Sequence, residues 1–231
     1  MGDFRFKQFT VRQDASALKV GTDAVLLGAA MIVKPSDRYM LDIGTGTGVI
    51  ALMAAQRCPA AMVEAVDIDG PSASEAAFNF AASPWPDRLR AVCTPLRDYE
   101  PSEDFDLIFS NPPFYDNSLT NPDERETAAR HTGSLTHADI CAFAVDRLKE
   151  DGRLALVLPS DAERRFLRSA ASFGLFPFRL TRVRTTAAKA PKRVIIELSR
   201  TRGVMEETEL TLQDGPGRSA EYSALTAEFY L

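Results

Sequence analysis

Compact apolar runs rich in Val, Ile, Leu and Phe, bounded by Gly, Pro, Asp or Ser, recur along the chain. They predict strands at Tyr39–Ile43, Met62–Asp67, Leu89–Cys93, Phe105–Ser110, 152–158, Phe176–Arg184 and Arg193–Ser199. Between them the apolar positions shift to helical spacing, predicting helices over Val49–Arg57, 72–82, 136–150 and 161–173. A further helix is expected over 15–33, with Leu18, Ala24, Val25, Leu26 and Leu27 on its apolar face. Ahead of it Phe4, Phe6 and Val11 alternate with polar residues, Phe9 being out of step, as in a short extended arm or hairpin. Alternating strands and helices imply an α/β fold: one doubly wound, mostly parallel sheet with helices on both faces. The connection between the last two strands contains Pro191 and is too short for a crossover helix, so these strands should run antiparallel. Residues 203–218 read as a polar tail, and the apolar stretch 225–231 is expected to pack back onto the body. The organisation expected is a single domain over 1–231, with an arm or lid at 1–35, a core at 36–202 and a tail at 203–231.

With 45% hydrophobic and 26% charged residues in 231, the chain is globular and long enough to bury a core without disulfides. Cys58, Cys93 and Cys141 form no CxxC pair and read as reduced thiols of a cytoplasmic protein. The longest apolar run, 25–33, is too short to span a bilayer, and the first residues lack the apolar core of a signal peptide. Phe6 stands where a myristoylation signal at Gly2 would need Ser or Thr. Neither His131 nor His137 has Cys or carboxylate partners at ligand spacing, so no metal is expected. The formal charge is −5, yet residues 147–202 hold fourteen Lys and Arg against five Asp and Glu. That segment is net +9 and the remainder −14, an asymmetry compatible with one face for an anionic partner.

The first core strand runs into Asp42-Ile43-Gly44-Thr45-Gly46-Thr47-Gly48, and a helix follows. Glycines there allow a sharp turn and close approach of a ligand to the helix N-terminus. A dinucleotide site wants GxGxxG, whereas this loop reads GxGxG with a carboxylate before it. Asp42 would repel a pyrophosphate and attract the ammonium and sulfonium of S-adenosylmethionine, which favours the latter. Asp67 ends the second strand, where an open α/β sheet offers an acid to ribose hydroxyls. Asp98, after the third strand, is a candidate acceptor for an adenine amino group. The fourth strand ends in Asn111-Pro112-Pro113-Phe114. Two prolines alone would merely stop a strand, but an Asn followed by an aromatic at a ligand crevice also has a chemical use. The exocyclic amine of adenine is a poor nucleophile because its lone pair is delocalised. The Asn111 side-chain oxygen and the Pro112 carbonyl could accept its hydrogens and draw it towards tetrahedral geometry, while Phe114 or Tyr115 stacks on the base.

DIGTGTG, VDID and NPPF resemble the Rossmann-like S-adenosylmethionine-dependent amino-methyltransferases. The resemblance extends to Phe6-Lys7-Gln8-Phe9-Thr10-Val11, Lys19-Val20-Gly21-Thr22-Asp23, Ala51-Leu52-Met53-Ala54-Ala55-Gln56-Arg57, Ser83-Pro84-Trp85, Ala129-Arg130-His131-Thr132, Pro191-Lys192-Arg193 and Phe229-Tyr230-Leu231. Together these look like the bacterial valine tRNA (adenine-37-N6)-methyltransferases. The resemblance implies a seven-stranded sheet whose last strand is antiparallel, S-adenosylmethionine as methyl donor (S-adenosylhomocysteine as product) and tRNA as substrate. By position, Asp42, Gly44, Gly46, Asp67, Asp98 and Asn111 would hold the cofactor under a lid of Lys19, Gly21, Thr22 and Asp23. Asn111, Pro112, Pro113 and Phe114 would hold the adenine, with Tyr115, Arg130 and His131 beside the RNA. The family commonly reads NPPYF, whereas this chain has Phe114 before Tyr115, and it often has Glu where Asp67 stands. Arg179, Arg182, Arg184, Lys189, Lys192, Arg193 and Arg200 are candidates for phosphate contacts, Lys189, Lys192 and Arg193 foremost. The same motifs also suit a ribosomal-RNA or protein-glutamine amino-methyltransferase, or a non-catalytic cofactor-binding module. Oligomeric state is left open, with a monomer favoured.

Overall fold

The structure, a computed structural model, describes residues 2–16, 18–112 and 135–231. Parallel strands β3 (Tyr39–Ile43), β4 (Met62–Asp67), β5 (Leu89–Cys93), β6 (Phe105–Ser110) and β7 (Leu148–Pro159) form most of one sheet. β8 (Phe176–Arg184) and β9 (Arg193–Ser199) complete the expected seven, and β9 runs antiparallel to both β7 and β8. An eighth strand corrects the seven-stranded expectation. Residues of the supposed polar tail form β10 (Glu206–Thr211), which pairs in parallel with β8 and gives the order β10-β8-β9-β7-β6-β3-β4-β5. Its alternation of Glu and Thr carries little apolar signal because it is an edge strand that buries only Leu210 fully. The remaining tail forms the small hairpin of β11 (Gln213–Asp214) and β12 (Gly217–Arg218), then helix α6 (Ala220–Leu225). The N-terminal hairpin is present as β1 (Phe4–Arg5) and β2 (Thr10–Val11).

Helices α1 (Thr22–Ala30), α2 (Val49–Arg57) and α3 (Gly70–Ala81) join the apolar cluster on one face of the sheet. Helices α4 (His137–Arg147) and α5 (Glu163–Ser172) join the cluster on the other. The expected helix over 15–33 shrinks to α1 for a local reason. The amides of Asp14, Ala15 and Ser16 are taken by the Glu75 carboxylate, and Gly21 is extended at the N-cap. β7 begins before the expected 152, crossing Glu150-Asp151-Gly152 with a register shift opposite Phe105 and Leu107. Phe229 is buried, and the Lys7 amide and ammonium donate to the Phe229 and Ala227 carbonyls. Phe4, Phe6, Phe9 and Tyr230 thus share one aromatic cluster between the two ends of the chain.

Candidate active site

The strand order reverses between β3 and β6, the place where an open α/β sheet forms its ligand crevice beyond the carboxyl ends. Ile43 pairs with Ser110 there, and Ser110 Oγ donates to the Ile43 carbonyl at 2.7 Å. The glycine loop and Asn111 are therefore side by side. Gly44, Gly46 and Gly48 all have left-handed φ (+68°, +56° and +81°). At Gly48 the need for glycine is also steric, since a Cβ would lie 2.5 Å from Phe80 Cε1. The amides of Gly44 and Thr45 donate to the Val66 carbonyl, and the Gly46 amide donates to Asp67 Oδ2 at 2.8 Å. Asp67, half-buried, also accepts the Asp69 amide through Oδ1 at 2.9 Å. It braces the loop across the gap between β3 and β4.

Asp42 is fully buried. Its Oδ2 accepts from Thr45 Oγ1 at 2.7 Å, and its Oδ1 has no partner among the described residues. Burial pushes its carboxyl up to about 7, against the opposing pull of the Thr45 hydroxyl. Asn111 Oδ1 is likewise buried without a partner among the described residues. A buried acceptor lacking a donor costs about 1–3 kcal/mol. Two such oxygens flanking the reversal point fit ligands that bring positive charge and N–H donors, as S-adenosylmethionine and an amine would.

Residues 12–16 and 18–21 form a strap over the loop. The Arg12 amide donates to Asn79 Oδ1, and Asn79 Nδ2 donates to the carbonyls of Arg12 and Thr47. Glu75, 4% exposed, receives the amides of Asp14 (2.6 Å), Ala15 (2.9 Å) and Ser16 (2.7 Å). Ser16 Oγ stands 3.4 Å from where a Gly46 Cβ would be. Lys19 donates to the carbonyls of Gln13, Asp14 and Ser16, so its ammonium stitches the strap to itself. Glu75 and Asn79 gave no functional signal in the sequence, where they read as polar positions of a helix; only the long-range contacts with the strap reveal them. Ile68, 53% exposed beside Asp67, is an apolar surface at the same edge that the sequence did not single out.

Other sequence candidates face solvent or have partners of their own. Asp98 sits after β5 in a short 3-10 turn, its side chain 59% exposed and 3.6 Å from Arg97 Nε. Gly21 and Thr22 begin α1, and Asp23 Oδ2 accepts from Arg193 Nε at 2.8 Å. Two residues assigned to different ligands are thus joined to each other. Part of the basic segment is neutralised. Arg179 pairs with Glu197, Arg182 with Glu163 and Glu207, and Arg184 with Glu209, while Arg200 donates to the Val145 carbonyl. Lys189 and Lys192 are exposed on the β8–β9 loop. His137 begins α4, where burial and the Arg165 charge lower it to about 4, so it is neutral at pH 7. Burial pushes the Cys141 thiol up to about 12, leaving it inert. Pro113, Phe114, Tyr115, Arg130 and His131 lie outside the described residues. Among the described residues no three His, Cys, Asp or Glu side chains are grouped to hold a metal, and no helix is long and apolar enough to cross a membrane.

Comparison with known proteins agrees with this geometry. Residues 16–173 match the family model of the methyltransferase small domain. A tRNA1(Val) (adenine(37)-N6)-methyltransferase of Bacteroides fragilis is 43% identical, the alignment covering 99% of this chain and 97% of that protein. One from Flavobacterium johnsoniae is 42% identical with 99% of both chains covered. Among solved structures, a predicted O-methyltransferase from Agrobacterium tumefaciens aligns with a TM-score of 0.68 at 16% identity, covering 90% of this chain and 96% of that one. A ribosomal protein L11 methylase from Lactobacillus delbrueckii aligns at 0.54 and 22% identity, covering 78% and 77%. These two likenesses speak for the fold alone, a doubly wound α/β sheet. With Asp42 and Asn111 at the reversal point of that sheet and relatives alike over nearly the whole length, the chain belongs to the bacterial tRNA1(Val) (adenine(37)-N6)-methyltransferase family.

Proposed function

We infer that this chain methylates the N6 amine of adenine 37 in a tRNA, valine tRNA foremost, using S-adenosylmethionine and leaving S-adenosylhomocysteine. The observation that carries the reading is the buried Oδ1 of Asn111 beside the glycine loop, which has no partner among the described residues. Bound S-adenosylmethionine supplies an electrophilic methyl group. Asp42 meets its positive charge, Gly44 and Gly46 let it approach the backbone, and Asp67 accepts from a ribose hydroxyl with lone pairs not used by the loop. Ile68 offers an apolar face to the adenine ring, and Asp98 an acceptor to its amino group. Lys19, Gly21, Thr22 and Asp23 close the site as part of the strap and the start of α1.

Asn111 Oδ1 and the Pro112 carbonyl accept the two hydrogens of the target amine. This localises the nitrogen lone pair and stabilises the positive charge that develops as the N–C bond forms. The proton is lost after transfer, so no general base is required beforehand. Pro113, Phe114 and Tyr115 enter on sequence alone: the proline stiffens the turn and the aromatics stack on the base. Adenine 37 must leave its stack to reach Asn111, at a cost of a few kcal/mol that stacking offsets. Arg130 and His131 are placed beside the RNA on sequence alone. Lys189, Lys192 and Arg193 contact its phosphates, Arg193 while held by Asp23. The protein acts in the cytoplasm, as a single domain and as a monomer.

The test is methyl transfer from labelled S-adenosylmethionine to tRNA, ribosomal RNA and release factor in parallel. Label should appear in tRNA as N6-methyladenosine. It should fall at least about 100-fold in Asn111→Ala, with cofactor affinity retained. Label confined to ribosomal RNA or protein would overturn the reading.

A further inference from the structure

Among the described residues, the cations of α5, β8, β9 and the β8–β9 loop divide into two sets. Arg179, Arg182, Arg184 and Arg193 are held by carboxylates. Arg164, Arg165 and Arg168 are exposed on α5 and, with Lys189 and Lys192, make no ion pair with a described residue. Phe166 and Ala170 bury the opposite side of α5 in the core, so the three arginines share its outward side.

Their position is tied to the active site through a chain of contacts. β7 runs parallel to β6, passes the level of Asn111 and ends at Pro159, from which a short turn leads into α5. The Ser160 amide donates to the Lys192 carbonyl, placing the β8–β9 loop against that turn. Arg182 of β8 holds Glu163, the first residue of α5. Arg165 lies close enough to His137 to depress its protonation, and Phe166 meets the same ring edge-on at 5.4 Å. Two residues before His137, Leu135 lies 3.7 Å from where a Gly44 Cβ would be. The α5 arginines and the loop lysines thus flank the crevice on the β7 side. Glu163 is neutralised by Arg182, leaving Asp161 as the exposed, unpaired carboxylate of the 160–168 stretch.

We propose that Arg164, Arg165 and Arg168 of α5, with Lys189 and Lys192, form the surface that holds the phosphates of the RNA whose base enters the crevice. This rests on the reading of the chain as an RNA methyltransferase and extends it to a helix that the sequence argument did not assign. Guanidinium groups on successive turns suit a sugar–phosphate backbone, because they contact charge without reading bases. The carboxylate-held arginines of β8 serve the sheet. Their charges are matched within the fold and have little left for a polyanion.

The experiment compares the full-length chain with Arg164→Gln/Arg165→Gln/Arg168→Gln and with Lys189→Gln/Lys192→Gln. Binding of a valine-tRNA transcript and of a ribosomal-RNA fragment is measured across a range of KCl concentrations. Each lost phosphate contact should lower the slope of log K against log salt by about 0.7–0.9. The triple variant should therefore lose about 2–3 from the slope and at least tenfold in affinity, with S-adenosylmethionine affinity and melting temperature unchanged. Arg168→Gln alone, exposed and unpaired, should lose about one third of that slope and guards against a misfolded triple variant. Unchanged slopes in all of them would overturn the proposal. Methylation by the wild-type chain is scored separately. If it labels ribosomal RNA and not tRNA, the substrate reading fails, while the slopes still decide whether this surface holds RNA.

Discussion

Replacing Asp42 by Asn keeps the size of the side chain and an acceptor for Thr45 but removes the carboxyl that burial holds near pKa 7. The ordinary value is 3.8. Between pH 4 and 7 the folded wild type therefore keeps a proton that the unfolded chain has released. The contribution of Asp42 to stability is fully present below about pH 4, falls as pH rises through that window, and is lost above about 7. The shift of about three units corresponds to an upper bound of about 4 kcal/mol at about 1.36 kcal/mol per unit. At pH 5 only about one of those units has been lost, so the advantage of Asn should grow by about 2–3 kcal/mol between pH 5 and 8.5. Urea unfolding of the ligand-free proteins at the two pH values measures this directly. Calorimetry on the same samples should show S-adenosylmethionine binding at least tenfold weaker in the variant. In the wild type, binding near pH 6 should release protons as Asp42 ionises beside the ligand's positive charge. An Asn variant that is no more stable at pH 8.5, or equally favoured at both pH values, would refute the claim that Asp42 is a desolvated carboxyl awaiting a cation.

Three further outcomes follow from the geometry. Glu75→Gln turns an amide donor towards one of the strap amides; KM for S-adenosylmethionine should rise about tenfold with kcat little changed, and steady-state kinetics showing an unaltered KM would remove Glu75 from the site. Gly48→Ala forces a side chain into a left-handed conformation and against Phe80; it should lower stability by about 2–3 kcal/mol, and a melting temperature equal to wild type would sink the steric argument. Arg153→Met leaves Asp37 buried after losing a 2.6 Å ion pair. The cost should be about 3–5 kcal/mol in denaturant, with part regained in Arg153→Met/Asp37→Leu; equal stability of the single and double variants would contradict this.

Much of the fold could be read in advance because parallel core strands are buried on both faces and read as unbroken apolar runs. β3, β4, β5 and β6 fall where the pattern put them. β10 was missed because an edge strand of Glu and Thr offers no such run. Missing it also misjudged the electrostatics. The glutamates of β10 and the arginines of β8 lie 25 residues apart in sequence but in contact in space, so charge counted in one dimension looked like a free basic face. Asp42, Asp67 and Asn111 were legible because glycine spacing and strand ends fix them locally. Glu75 and the α5 arginines were not, since a polar residue on a helix looks the same whether it grips a distant backbone amide or faces water.

The aromatic cluster joining the hairpin to the tail has a consequence for synthesis. Lys7 is bonded to a carbonyl 220 residues further along. At about 5–20 residues per second, roughly 10–40 s separate the emergence of Phe4, Phe6 and Phe9 from that of Phe229 and Tyr230. During that interval Phe4 and Phe6 lack the Tyr230 ring that packs on them, and Lys7 lacks its two carbonyl partners. The hairpin that leads into the strap is therefore covered among the last steps of folding, after α3 has taken hold of the strap itself. A chain ending short of residue 229 would keep its strap on α3 but leave the hairpin uncovered, and it would be easiest to capture by its first ten residues.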